Sequence, residues 1–258
     1  MTVPNYKFIR LQQSGVRAEL IINRPEVRNA LNLTLIEEAI DAVGRLPSTT
    51  RVLVLRGEGE EAFAAGADIG ELVHRTAWTD MDSGPRRQLA RLLELAPFVT
   101  VAAIRGYAFG GGLELALACH LRVADDSARL GLPEIKLGVI PGNGGTARLT
   151  RLVGRSRALQ AMLFAETFTA EQARAIGLVN WVYPQQEFST ELDALCQRIE
   201  RLPRIATRAI VDCVSKAQES PMEFAIENEH RWFQLCLQSP DKAEGVEAFL
   251  QKRTPQFN

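Results

Sequence analysis

The period of the apolar positions changes along the chain, and each change marks an element. Val16, Ala18, Leu20 and Ile22 alternate with polar neighbours, the two-residue period of a half-buried strand. Phe8 to Gln12 reads as its partner, joined through a turn at Ser14-Gly15. Asn23-Arg24-Pro25 breaks the pattern. Leu33, Ile36, Ile40 and Val43 then recur at helical spacing, with Glu37, Glu38 and Asp41 opposite, predicting a helix to about Leu46 that Pro47 stops. Arg51 to Arg56 (RVLVLR) and Val99 to Ile104 (VTVAAI) are short apolar runs that read as buried strands. Between them lie a charged turn at 57–61 and a loop of small side chains, Phe63 to Ile69 (FAAGADI), without strand or helix period. From Gly70 to Pro97 the pattern is helical but irregular. Trp78 and Met81 interrupt it, Ser83-Gly84-Pro85 breaks it, and a helix resumes from Arg87 to Leu95. Such a stretch suits a wall over a pocket.

Further on, Thr146 to Val153 and Ser156 to Phe164 read as short helices, and Thr169 with Gln172 has the spacing of a capping box. Leu178 to Val182 reads as the last strand. Residues from about Ser189 to Lys252 read as four helices, with start signals at Ser220-Pro221-Met222-Glu223 and at Ser239-Pro240. The third carries Phe224, Ile226, Trp232, Phe233, Leu235 and Leu237, more apolar surface than a lone surface helix needs. The order is strands mixed with helices, then helices alone. It predicts an α/β core over 1–188 and a helical region over 189–258.

One stretch, Gly106 to Gly145, concentrates the candidate chemistry. Gly110, Gly111 and Gly112 lead directly into the apolar run Leu113 to Cys119, which holds a single acid, Glu114. A helix starting at those glycines aims unpaired N–H groups and its positive dipole end at the glycine loop. That arrangement suits an oxygen that gains negative charge during a reaction. Burying an acid in such a run favours its protonated form, which brings a carboxylate into proton exchange near neutrality. A second acid, Glu134, follows behind Pro133, and tight turns at Pro141-Gly142 and Gly144-Gly145 close the stretch. Each feature alone also has a structural explanation: a glycine run packs closely, and an acid in a first turn complements the helix dipole.

Composition narrows the classes. The 258 residues carry a net charge of −1, so there is no basic footprint for nucleic acid. The four cysteines form no CxxC pair, which suits a reducing compartment, and the three histidines are not spaced as metal ligands. The N-terminus lacks the pattern of a signal or transit peptide, and no apolar run approaches the length of a membrane span. These features together predict a cytoplasmic protein without a metal.

The motifs, in this order, resemble the crotonase superfamily, the enoyl-CoA hydratase/isomerase family, over essentially the whole chain. The resemblance rests on Asn23-Arg24-Pro25 with Asn29-Ala30-Leu31-Asn32, on Phe63 to Ile69, and on Gly106 to Ala116 (GYAFGGGLELA). Pro133 to Gly138 (PEIKLG), Pro141 to Gly145 (PGNGG) and Phe249 to Arg253 (FLQKR) complete it. It implies a spiral of ββα turns with a C-terminal helical region used in trimerisation, and a homotrimer or dimer of trimers. It implies an acyl-CoA thioester as substrate, with no cofactor beyond the CoA of the substrate. It assigns the oxyanion-holding N–H groups to Ala67 and Gly111 and the catalytic acids to Glu114 and Glu134. CoA contacts fall by the same resemblance on Arg24, Arg28, Ala30, Ala65, Asp68, Ile69 and Lys252, the last from a neighbouring subunit. Two positions depart from the family pattern. Gly70 stands where many relatives have lysine, and Asn143 where many hydratases have alanine.

With both acids present, the expected reaction is hydration of a 2-enoyl-CoA ester in fatty-acid or related acyl-CoA breakdown, Glu114 activating water and Glu134 protonating C2. The alternatives are a Δ3,Δ2-enoyl-CoA isomerase, a specialised acyl-CoA hydratase, or a non-catalytic RNA-binding or scaffolding relative.

Overall fold

The computed structural model describes residues 4–78 and 84–257. Met81 and Ser83, expected to interrupt a helix, lie outside them. The chain opens with an antiparallel hairpin of β1 (Ile9–Ser14) and β2 (Arg17–Ile22). From there it winds through repeated turns. Three of these turns lay one strand in a six-stranded sheet and a three-residue strand in a four-stranded sheet, then pass into helix. The larger sheet adds β3 (Val52–Gly57), β5 (Val99–Ile104), β7 (Leu121–Asp125) and β10 (Trp181–Tyr183), all parallel, in the order β1-β2-β3-β5-β7-β10. The smaller sheet is β4 (Ala62–Ala64), β6 (Tyr107–Phe109), β8 (Arg129–Gly131) and β9 (Thr167–Thr169), with only β9 antiparallel. This is the expected spiral.

The runs RVLVLR and VTVAAI lack alternation because both faces of the large sheet are covered. Leu53, Leu55, Ala102 and Ile104 join the main core, which includes Phe63 and Leu113. Val52, Val54, Val101 and Ala103 pack instead with Phe188, Leu195, Cys196 and Ile199 of α8 (Phe188–Glu200).

Helix α1 (Leu33–Gly44) is capped by Asn32, whose side chain accepts from the Leu35 N–H at 2.9 Å. Its buried stripe is Leu35, Ile36, Ala39, Ala42 and Val43. The expected stripe began at Leu33, which is exposed, because the alanines complete a face that large apolar residues alone do not outline. The FAAGADI segment is also not all loop: it contributes to β4, and α2 (Ile69–Leu72) starts at its end with Asp68 as cap. Helix α3 (Gly84–Glu94) already holds Gly84 and Pro85, ahead of the expected Arg87. Strands β6, β7, β8 and β9 carry no pattern long enough to predict. The last strand begins at Trp181, while Leu178 and Val179 are buried loop residues.

Helix α4 (Gly111–Ala118) is buried from Gly112 to Ala118, which accounts for its uninterrupted apolar sequence. A 3-10 turn (Glu134–Leu137) follows β8, then α5 (Gly145–Val153), α6 (Arg155–Leu163) and α7 (Ala170–Ala175). Both bonds of the Thr169–Gln172 capping box are formed. The C-terminal helices number four, as expected: α8, α9 (Arg204–Ala217), α10 (Met222–Leu237) and α11 (Pro240–Leu250). Ser239 caps α11, whereas α10 starts after Pro221 with no side-chain cap from Ser220. No residue of α10 is buried, and Phe224, Phe233, Phe249 and Leu250 are exposed. Among the described residues no helix is long and apolar enough to cross a membrane.

Candidate active site

A cavity of ≈ 390 Å³ gathers the FAAGADI segment, the start of α4, the turn at Glu134 and the PGNGG loop. Gly110 and Gly111, at the start of α4, line it, and Gly112 sets the helix against β4. Gly110 has φ 50° and ψ −125°, a conformation open to glycine alone, and it turns the chain from β6 into the helix. At Gly112 a Cβ would fall 2.2 Å from the Ala64 oxygen, so α4 touches β4 backbone to backbone. At Gly111 a Cβ would meet, among the described residues, nothing closer than Leu31 Cδ1 at 3.6 Å, with Ala67 N at 3.7 Å. The glycine required for packing is therefore Gly112. Gly111 has room for a methyl group until a ligand fills the cavity.

The two expected oxyanion donors are neighbours. Leu31 donates to the Gly66 oxygen at 2.8 Å and accepts from the Asp68 N–H at 3.0 Å. That pairing uses the groups on either side of Ala67, and among the described residues the Ala67 N–H has no acceptor. Gly111 opens α4, so its N–H belongs to the helix's unpaired donors.

The two acids line the same cavity in different surroundings. Glu114 is 2% exposed. Its Oε1 accepts from the Asn143 N–H at 2.7 Å and the Gly145 N–H at 2.8 Å, and its Oε2 accepts from Asn143 Nδ2 at 3.1 Å. Arg148 fixes that loop in turn, donating to the Asn143 oxygen at 2.8 Å while it pairs with Glu94 at 2.9 Å. Among the described residues no other residue donates to the Glu134 carboxyl, and its Oε2 is buried without a hydrogen-bond partner. Burial pushes the Glu134 carboxyl up to about 7, its own backbone N–H pulls it partly down, and the Glu114 charge adds to the rise. The carboxyl brought to neutrality is thus that of Glu134.

Other expected residues are distributed unevenly. Ala65 and Ile69 line the cavity. Arg24 is largely buried, donating to the Ala30 oxygen at 2.7 Å and pairing with Asp68 at 3.0 Å, so it braces two loops. The Asn29 side chain clamps the same region, donating to the Ala62 oxygen at 2.7 Å and the Glu58 oxygen at 3.0 Å. Arg28 is exposed and pairs with Glu61 at 2.6 Å. Lys252 lies beyond α11 and on none of the cavity's walls within one chain. Arg86 was not foreseen. It borders a small recess shared with Ala67, Gly111, Glu114 and Asn143, and its place in an irregular polar stretch concealed it. A separate cavity of ≈ 350 Å³ is lined by Arg17, Arg56 and Arg105, and its acids Glu19 and Asp193 are tied up in ion pairs with Arg56 and Arg17.

Unpaired backbone donors facing two carboxylates, on a spiral of this kind, define a crotonase-type site. The chain belongs to the enoyl-CoA hydratase/isomerase family, whose model matches residues 12–258. It is 37% identical over 256 residues to the crotonyl-CoA hydratase of Syntrophomonas wolfei, covering 98% of each chain. It is 38% identical over 239 residues to the 2,3-dehydroadipyl-CoA hydratase of Escherichia coli K12, covering 92% of this chain and 93% of the relative. The solved structure of the enoyl-CoA hydratase from Bacillus anthracis superimposes with a TM-score of 0.92 at 32% identity, covering 97% of this chain and 99% of that one.

Proposed function

We propose that this protein is an enoyl-CoA hydratase, a hydro-lyase, that adds water across the 2,3 double bond through Glu114 and Glu134. The observation that carries the assignment of roles is the contrast between the two acids in one cavity. Environments that separate two carboxyl groups also separate an acid from a base. Glu114, held by three N–H donors, is an acceptor placed to orient and deprotonate a water at C3. Glu134, raised to about 7, keeps a proton available for C2. Charge develops on the thioester oxygen as the enolate forms, and the Ala67 and Gly111 N–H groups receive it, one such donor contributing about 2.7–4 kcal/mol.

Arg28, Ala30, Ala65, Asp68 and Ile69 would hold the CoA part, with Arg24 bracing their loop and Lys252 approaching from a second subunit. The exposed apolar side chains of α10 and α11 support a homotrimer or dimer of trimers, with 189–258 as the assembling region. The four free cysteines fit a cytoplasmic location.

The test is turnover of crotonyl-CoA, followed by loss of the conjugated enoyl absorbance. Hydration by the wild type and its loss in Glu114→Gln supports the reading. Isomerisation of a 3-enoyl ester without hydration overturns it.

A further inference from the structure

The recess next to the catalytic acids is small, ≈ 20 Å³, and mostly apolar, with walls from Leu31, Ile36, Ala90 and Leu115. One cation borders it. Arg86, in the first turn of α3, lines the recess and is 9% exposed. Among the described residues its guanidinium makes one hydrogen bond, from Nη2 to Glu71 Oε2 at 2.7 Å. Glu71 is also engaged elsewhere, since both its oxygens accept from the Leu33 N–H at the start of α1, at 3.0 and 3.1 Å. A guanidinium carries five N–H donors. One bond of five leaves four without a protein acceptor among the described residues, beside an apolar pocket.

The recess shares Ala67, Gly111 and Glu114 with the main cavity. With the thioester oxygen on Ala67 and Gly111 and C3 beside Glu114, the far end of the acyl chain enters the recess. A methyl-ended tail there would cover the guanidinium and satisfy none of its donors, which is unfavourable for a buried polar group. A carboxylate would meet them with charge-assisted, bidentate geometry. The size of the recess limits the tail to a few carbons past C3.

We propose that Arg86 selects short 2-enoyl-CoA esters whose acyl chain ends in a carboxylate. The proposal rests on the hydratase reading of the same site. Glu71 keeps the guanidinium oriented, and the N–H groups it leaves unused recognise the substrate.

A matched pair of substrates tests it: hex-2-enoyl-CoA and 2,3-dehydroadipyl-CoA, with the same six acyl carbons and a methyl or a carboxylate end. For the wild type, kcat/KM should favour the carboxylate ester by about tenfold or more, the range of a hydrogen bond to a charged group. In Arg86→Met that preference should disappear, and Arg86→Lys should keep part of it. The double variant Glu71→Gln with Arg86→Met removes both charges together, guarding against misfolding around a stranded carboxylate, and should favour the methyl ester. A wild-type ratio of one or less overturns the proposal. So does a ratio unmoved in the variants, which would make Arg86 only a brace between α3 and α2. Crotonyl-CoA separates the two levels. If the wild type hydrates it while the ratios fail, the selectivity alone is wrong; if it hydrates none of the three esters, the hydratase reading falls and the selectivity with it.

Discussion

Asn143 bonds both oxygens of the Glu114 carboxylate, its main-chain N–H at 2.7 Å from Oε1 and its side-chain amide at 3.1 Å from Oε2. An alanine at this position would keep the first bond and lose the second. The amide therefore adds a donor that sets which way Glu114 faces the water. Asn143→Ala should lower kcat by about tenfold, the scale of one hydrogen bond to a charged group, and leave KM nearly unchanged. Steady-state kinetics with crotonyl-CoA check this, and an unchanged kcat would mean that the two backbone donors suffice.

Replacing either acid by its amide keeps its shape and removes its proton transfer. Glu114→Gln and Glu134→Gln should each reduce hydration by roughly 10²–10⁴-fold. Binding of a saturated acyl-CoA, measured by calorimetry, should change little, because the carboxylates act mainly in the transition state. A Glu114→Gln enzyme that hydrates at the wild-type rate would falsify the two-acid mechanism.

Glu134 also gives the protein a pH signature. Its folded-state value of about 7 lies above the ordinary 4.5, so the folded state binds this proton more tightly than the unfolded chain. The resulting stability is fully present below about pH 4.5 and is lost as pH rises through about 7. Glu134→Gln should raise the melting temperature relative to wild type more at pH 8 than at pH 5. Activity should follow the same group, with kcat/KM falling as pH rises through about 7 because the donor to C2 must hold its proton.

Adjacent glycines should respond differently to the same substitution. Gly111→Ala places a methyl group at ordinary contact distances and should fold with a near-native melting temperature while losing activity. Gly112→Ala drives a methyl group to within 2.2 Å of the Ala64 oxygen and should destabilise the fold severely. Circular dichroism melts of the two variants side by side settle the contrast.

Light scattering checks the assembly. The expected mass is three or six times the 28.5 kDa of one chain. Exchanging Phe224 and Phe233, both exposed on α10, for aspartate should shift it downward.

The long elements were legible because their patterns are long. The uniformly buried VTVAAI strand and the four C-terminal helices lie where the sequence predicts them. Three-residue strands such as β4 and β8 have no period to read and exist because neighbouring turns of the spiral pair with them. The candidate acids were legible from their motifs, but their different surroundings were not. Glu114 and Asn143 stand twenty-nine positions apart, and only the folded chain brings an amide to one acid and leaves the other bare. Arg86 had one local signal, its helical spacing of three, four and seven positions from Leu89, Ala90 and Leu93, the buried stripe of α3, and the polar residues around it masked that signal.

The contact between Gly112 and Ala64 shapes how this site can vary. The proposed oxyanion donors are main-chain groups, so no side-chain replacement short of proline can delete either of them. Their spacing depends instead on a helix and a strand meeting with no side chain between them, at a residue outside the cavity's lining. Tolerance and fragility are thus separated along three consecutive glycines. The residue presenting the donor can change while the fold survives, whereas the residue after it holds the gauge to which the donors are set. Loops around the cavity are free to diversify toward new acyl groups as long as that one position stays bare.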